Sequence, residues 1–134
     1  VRRNSSLELL AGGLRVVTGA VLSVFASGER KRIETTTAVI GIRGTGVYVE
    51  AEAARTYVCT CYGRVVLEPR SEPASAETVT TTHHDQPRYI MASGAPQMIM
   101  QAPVVNHTDA ELILLESIVG RQPPFIGQGY KPTY

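Results

Sequence analysis

Through the first half of the chain, apolar and β-branched residues recur at every second position in short runs, and glycine punctuates them. Runs at 7–10, 14–17, 20–25, 32–36, 38–42, 47–51, 56–62 and 64–67 read as strands. Turn residues fall between them at Gly12-Gly13, Thr18-Gly19, Ser27-Gly28, Gly44-Thr45-Gly46 and Gly63. Strands this short and this closely spaced predict a mainly β domain: a small roll, a solenoid-like fold or a sandwich. Glu29-Arg30-Lys31-Arg32 mixes charge signs and reads as a solvated hairpin tip.

After residue 68 the pattern changes. Residues 69–77 are rich in Pro, Ser and Glu and predict a linker or exposed loop. A β run at 78–82 follows and ends at His83-His84-Asp85. Residues 90–105 carry three methionines and two prolines, which predicts an interrupted edge strand with Met side chains filling core gaps rather than binding copper. Thr108-Asp109-Ala110-Glu111 is a capping box that opens a helix. Leu112, Leu115, Ile118 and Val119 form its apolar stripe, expected to face inward, and Gly120 supplies the stop. The last residues, 121–134, hold prolines, glycines and tyrosines and read as an extended arm. The organisation predicted is therefore a β domain at 1–68, a loop at 69–77, a β segment with a packed helix at 78–120 and the arm at 121–134.

Composition narrows the partners. The chain has 134 residues, 43% hydrophobic and 19% charged, enough for one domain with a core. Thirteen basic against twelve acidic residues leave a net charge of +1, which gives no field to draw nucleic acid or an anionic membrane. No apolar run approaches the ~20 residues of a membrane span. The chain opens at Val1, and Arg2-Arg3 lacks the apolar stretch of an export signal, so a removed leader or a segment of a longer protein is expected.

The candidate chemistry lies in Cys59, Cys61, His83, His84 and His107. Cysteines two apart on a strand share a face with Cα atoms roughly 6.5 Å apart. A disulfide needs Cβ atoms about 3.8 Å apart, so these two are not expected to bond each other. Tyr57 would share their face, and Thr56, Val58 and Thr60 the other. Free buried thiols, bonds to another chain and metal ligation remain open. A Cys2His2 or Cys2His site, from both cysteines and one or two of the three histidines, suits tetrahedral zinc, or copper or iron, by ligand type, although the spacing matches no local zinc motif. Adjacent His83 and His84 would point to opposite strand faces unless the chain turns, which Asp85 and Pro87 permit.

The ordered series Thr35 to Thr37, Arg43-Gly44-Thr45, Val47 to Glu50, Val58 to Gly63 and Val65 to Leu67, within LRVVTGAVLSVF, IGIRGTGVYV and TYVCTCYGRVVL, resembles the later part of a FecR domain. That family is the periplasmic module named for the ferric-citrate regulator. The resemblance covers about half the chain, and the cysteine pair is not part of the family pattern. It implies an all-β roll or solenoid in the periplasm or on the cell surface, and signalling by protein contact. A fold that begins midway through this pattern should leave a strand edge near 7–17 for a protein partner or a second copy. Phe125, Tyr130 and Tyr134 of the arm would then serve as aromatic anchors for that partner.

Other motifs reduce to local structure. Gly41 to Gly46 continues into strand-like Val47-Tyr48-Val49 instead of opening a helix, so its glycines serve a sheet bulge and not a nucleotide phosphate. Thr45 would bond the local backbone there. A nucleophilic site of Cys59 or Cys61 with His84 and Asp85 or Asp109 has the residue types but no fixed geometry. The sequence thus reads as a non-catalytic, exported, FecR-like β-scaffold acting as sensor, regulator or assembly subunit, with a metal-binding protein as the alternative.

Overall fold

Glycine bends the long strands of this fold without ending them. The computed structural model describes residues 1–130. Its strands are β1 (Ser6–Leu10), β2 (Gly13–Val24), β3 (Arg30–Glu34), β4 (Ala38–Ala51), β5 (Arg55–Pro69), β6 (Glu77–Thr81), β7 (Arg88–Met91) and β8 (Ile99–Gln101), and its helix is α1 (Asp109–Ile118). The fold is mainly β with one C-terminal helix, as the patterning predicts. The pairs of runs expected at 14–17 and 20–25, at 38–42 and 47–51, and at 56–62 and 64–67 are single strands β2, β4 and β5.

The bend in β4 and β5 has an identifiable cause. Arg43 pairs with Arg64 and Gly46 with Tyr62, so two residues of β4 stand opposite Gly63 alone, which is a bulge. Gly63 has φ 89, and a Cβ there would lie 2.3 Å from the Gly44 carbonyl oxygen. Thr45, fully buried, donates its hydroxyl to the carbonyls of Gly46 and Tyr62 and fills the hole the bulge leaves. The extra residue also shifts the side-chain phase. Ile40 and Ile42 before it, and Val47 and Val49 after it, all enter the same apolar cluster.

Strands lie in the order β1-β2-β3-β4-β5-β7-β8, with β6 pairing the far half of β5. The first half of β2 runs parallel to β3 and its second half antiparallel to β4. The edge expected over 7–17 is therefore narrower: residues 13–15 are covered by β3, and β1 forms the rim. The hairpin tip expected at residues 29–32 also moves. The turn closes from the Glu29 amide to the Ala26 carbonyl at 3.1 Å, and Arg30 already belongs to β3. The loop after β5 contains a short 3-10 turn, Pro73–Ser75, and returns the chain to the same sheet. Met98 is buried but Met100 is 43% exposed, so only part of the methionine expectation is met.

Side chains alternate between two clusters. Val16, Ile33, Ile40, Val49, Val58 and Leu67 belong to one, and Tyr48, Tyr57, Cys59, Cys61, Tyr62, Leu112 and Phe125 to the other. The second cluster lies where residues 102–126 and α1 cover the sheet. Its helix keeps the first half of the stripe expected, with Leu115 half-buried beside Leu112, and departs from the second half. Leu112 is buried, but Ile118 is 72% and Val119 53% exposed, while Asp109 and Glu116 are buried. Polar groups on the sheet side select this face: Asp109 meets two histidines, and Glu116 accepts the Tyr62 hydroxyl at 2.5 Å and the Arg121 Nε–H at 2.6 Å. The capping box forms as predicted, with Glu111 donating its amide to Thr108 Oγ1 at 3.3 Å and Thr108 donating its own to Glu111 Oε1 at 3.0 Å.

Candidate metal centre

β5 places Tyr57, Cys59 and Cys61 on one face, as the strand period requires, and both thiols are free and fully buried. Two loops close over them. After β6, Asp85 accepts the amides of Thr82 at 2.7 Å and His83 at 3.3 Å, which tightens the turn. His84 takes φ 53 within it and donates its amide to the Cys61 carbonyl at 2.9 Å. This left-handed residue brings both histidines to one side, where a regular strand would separate them. The second loop is held by Tyr57, whose hydroxyl donates to the Pro103 carbonyl at 2.7 Å and accepts the Val105 amide at 3.2 Å. His107 then stacks on the Tyr48 ring at 4.6 Å.

The result is a converging cluster. Ligand atoms of Cys59, Cys61, His84 and His107 all lie within 4.8 Å of one another. His84 Nδ1 is 3.2 Å from Cys59 Sγ and 3.2 Å from His107 Nε2. Zn–S and Zn–N bonds of ordinary length give tetrahedral edges of about 3.3–3.8 Å, close to these separations. The outward nitrogens are also committed. His84 Nε2 meets Asp109 Oδ1 at 2.8 Å, and His107 Nδ1 donates to the Val105 carbonyl at 2.6 Å. Such contacts fix the tautomer of a metal-binding imidazole and aim its other nitrogen at the ion. His83 does not join the cluster; its Nε2 lies 2.8 Å from Asp109 Oδ2, behind His84.

The electrostatics suit a cation. A hydrogen bond from the Cys61 thiol, then those from His107 and His84, lower the Cys59 pKa to about 4 against the opposing effect of burial. Burial, and then the bond it gives to Cys59, push the Cys61 thiol well up. Burial opposes protonation of His84, yet Cys59 and then Asp109 hold its pKa above the usual imidazole value. The Cys61 thiol, which donates to the Cys59 carbonyl at 3.6 Å, thus keeps the proton that a divalent ion would displace to bind both sulfurs as thiolates. The Cys59, His84 and Asp109 series also has the connectivity of a nucleophile, base and orienting acid. Its sulfur is fully buried, so a substrate has no approach to it, and a closed four-donor set suits a metal that keeps no open position.

Asp109 is legible in sequence only as a residue of the capping box or as an orienting acid for a nucleophile; its bonds to His83 and His84, 26 and 25 residues away, carry no local signal. Phe125 corrects another expectation. It is 2% exposed and packs on His83 at 4.4 Å and Tyr62 at 5.9 Å, so it anchors the arm to its own chain and not to a partner. Tyr130 packs on Phe125 at 5.2 Å, and Tyr134 lies outside the described residues.

No protein-family model and no curated protein matches the chain. Two crystal structures of a "putative anti-sigma factor" from Parabacteroides distasonis are similar in fold. One has a TM-score of 0.51 at 13% identity over 67% of this chain and 40% of its own. The other has a TM-score of 0.51 at 14% identity over 74% of this chain and 48% of its own. The match thus spans less than half of either neighbour's length. No helix among the described residues is long and apolar enough to cross a membrane.

Proposed function

We propose that this chain is a non-catalytic, FecR-like β-scaffold that binds one tetrahedral metal ion, zinc by preference, through Cys59, Cys61, His84 and His107. The observation that carries the reading is the convergence of those four donors within 4.8 Å while both imidazoles are bonded on their far side. The ion fastens residues 83–126 to the sheet, because two of its ligands come from β5 and two from the loops that cover it. Nitrogen and sulfur donors in equal number favour zinc, with copper or iron the competitors for the same set.

In this reading the scaffold works by protein contact in the periplasm or at the cell surface. The exposed Leu114 and Ile118 of α1, with Val119 at its C-cap, support a contact role, as does the likeness in fold to proteins described as anti-sigma factors. Elemental analysis of protein purified without chelator tests the metal. One ion per chain, lost in Cys59→Ser/Cys61→Ser but kept in His83→Gln, is expected. Metal-free protein that takes up no zinc on addition would overturn the reading.

A further inference from the structure

The outer face of β3, β4, β5 and β6 carries a feature the metal reading does not use. Arg30 pairs with Arg43, Arg43 with Arg64, and Arg64 with Thr80, so three guanidinium side chains stand in one row across adjacent strands. Neighbouring strands are about 4.8 Å apart, and like charges directly opposite one another are destabilising. All three arginines are exposed, and among the described residues none has an ion pair, whereas Arg2, Arg15, Arg32, Arg55, Arg70, Arg88 and Arg121 each meet an acidic partner. The acids of this face, Glu34 and Glu68, flank Val39, four residues along β4 from Arg43.

The row borders a pocket of about 350 Å³ lined also by Gly41, Ile42, Val65 and Val66. Gly41 has no side chain to fill it, and a Cβ there would only touch Val66 at 3.8 Å. Val66 is 39% exposed, so an apolar floor adjoins the charged rim.

We propose that this pocket binds a phosphate-bearing ligand, the phosphoryl oxygens bridging Arg43 to Arg30 or Arg64 and the attached group lying on Gly41 and Val66. Guanidinium forks pair with phosphate oxygens two at a time, and a dianion between two neighbours in the row removes their repulsion. The pocket lies on a different part of the sheet from the thiols, so the proposal stands whether or not metal binds.

Calorimetric titration with inorganic pyrophosphate at low ionic strength, with acetate as the monoanion control, tests it, alongside pelleting with phosphatidic-acid vesicles. Saturable pyrophosphate binding that falls at least tenfold in Arg43→Gln, and little in the equally charged control Arg3→Gln, is expected of a soluble ligand. Vesicle binding with the same dependence on Arg43, without pyrophosphate binding, would assign the phosphate to a lipid headgroup. Absence of both, or equal losses in Arg43→Gln and Arg3→Gln, would overturn the site. Circular dichroism of Arg43→Gln, which is solvent-exposed, confirms that the variant compared is folded.

Discussion

His84 Nε2 lies 2.8 Å from Asp109 Oδ1, and this contact turns the other ring nitrogen of His84 toward Cys59 and His107. A carboxylate at the first position of α1 thereby sets the orientation of an imidazole in the loop after β6. Asp109→Asn keeps the size but removes the charge. Loss of such a partner typically costs 10–100-fold in metal affinity. Competition with a chromophoric chelator should show that drop, while an affinity equal to wild type would mean that His84 is positioned by its backbone alone.

The helix makes a contrast within one element. Leu112 is fully buried against Tyr62, Cys61 and their neighbours, so Leu112→Ala should cost about 2–5 kcal/mol in urea unfolding. Ile118 is 72% exposed, and Ile118→Ala should stay within about 0.5 kcal/mol. Equal costs at the two positions would show that the helix packs through another face.

Tyr62 and Glu116 form the second polar tie between sheet and helix, at 2.5 Å. Burial, and then the bond to Glu116, raise the Tyr62 pKa, so the phenol stays protonated and donates. In Tyr62→Phe the buried carboxylate keeps Arg121 but loses this donor. A destabilisation of about 1–3 kcal/mol is expected in denaturant melts. A neutral substitution would mean that water or Arg121 satisfies Glu116 without help.

Much of the fold was legible because its signals are local. The alternation in β5 places Cys59 and Cys61 on the face of Tyr57, and Thr108 and Glu111 announce the helix start. What escaped depended on tertiary partners. In sequence alone Gly19, Gly46 and Gly63 read as strand ends, because a bulge and a turn share the same residue type. The inward face of α1 is legible at Leu112 and Leu115 but not beyond them, since Asp109 and Glu116 can be buried only where His83, His84, Tyr62 and Arg121 wait for them. The four donors were all nameable beforehand. Their convergence was not, because it needs the left-handed His84 and the Tyr57 clamp on residues 103–105.

The bulge itself is testable. Gly63→Ala would meet backbone at 2.3 Å and also occupy φ 89, so a loss exceeding about 1–3 kcal/mol is expected. Gly28 shares the positive φ, at 85, but has nothing within 4 Å, and its substitution should cost only the conformational part, about 1–2 kcal/mol. Thermal unfolding of the pair separates close approach from backbone conformation, and equal losses would refute the steric account.

A cobalt(II) titration followed by absorption reads the coordination by Cys59, Cys61, His84 and His107 at the ion itself. Intense tetrahedral d–d bands with sulfur-to-cobalt charge transfer, saturating at one ion per chain, displaced by zinc and absent from Cys59→Ser/Cys61→Ser, are the predicted result. Weak six-coordinate bands, or a spectrum unchanged by replacing both cysteines, would contradict the site.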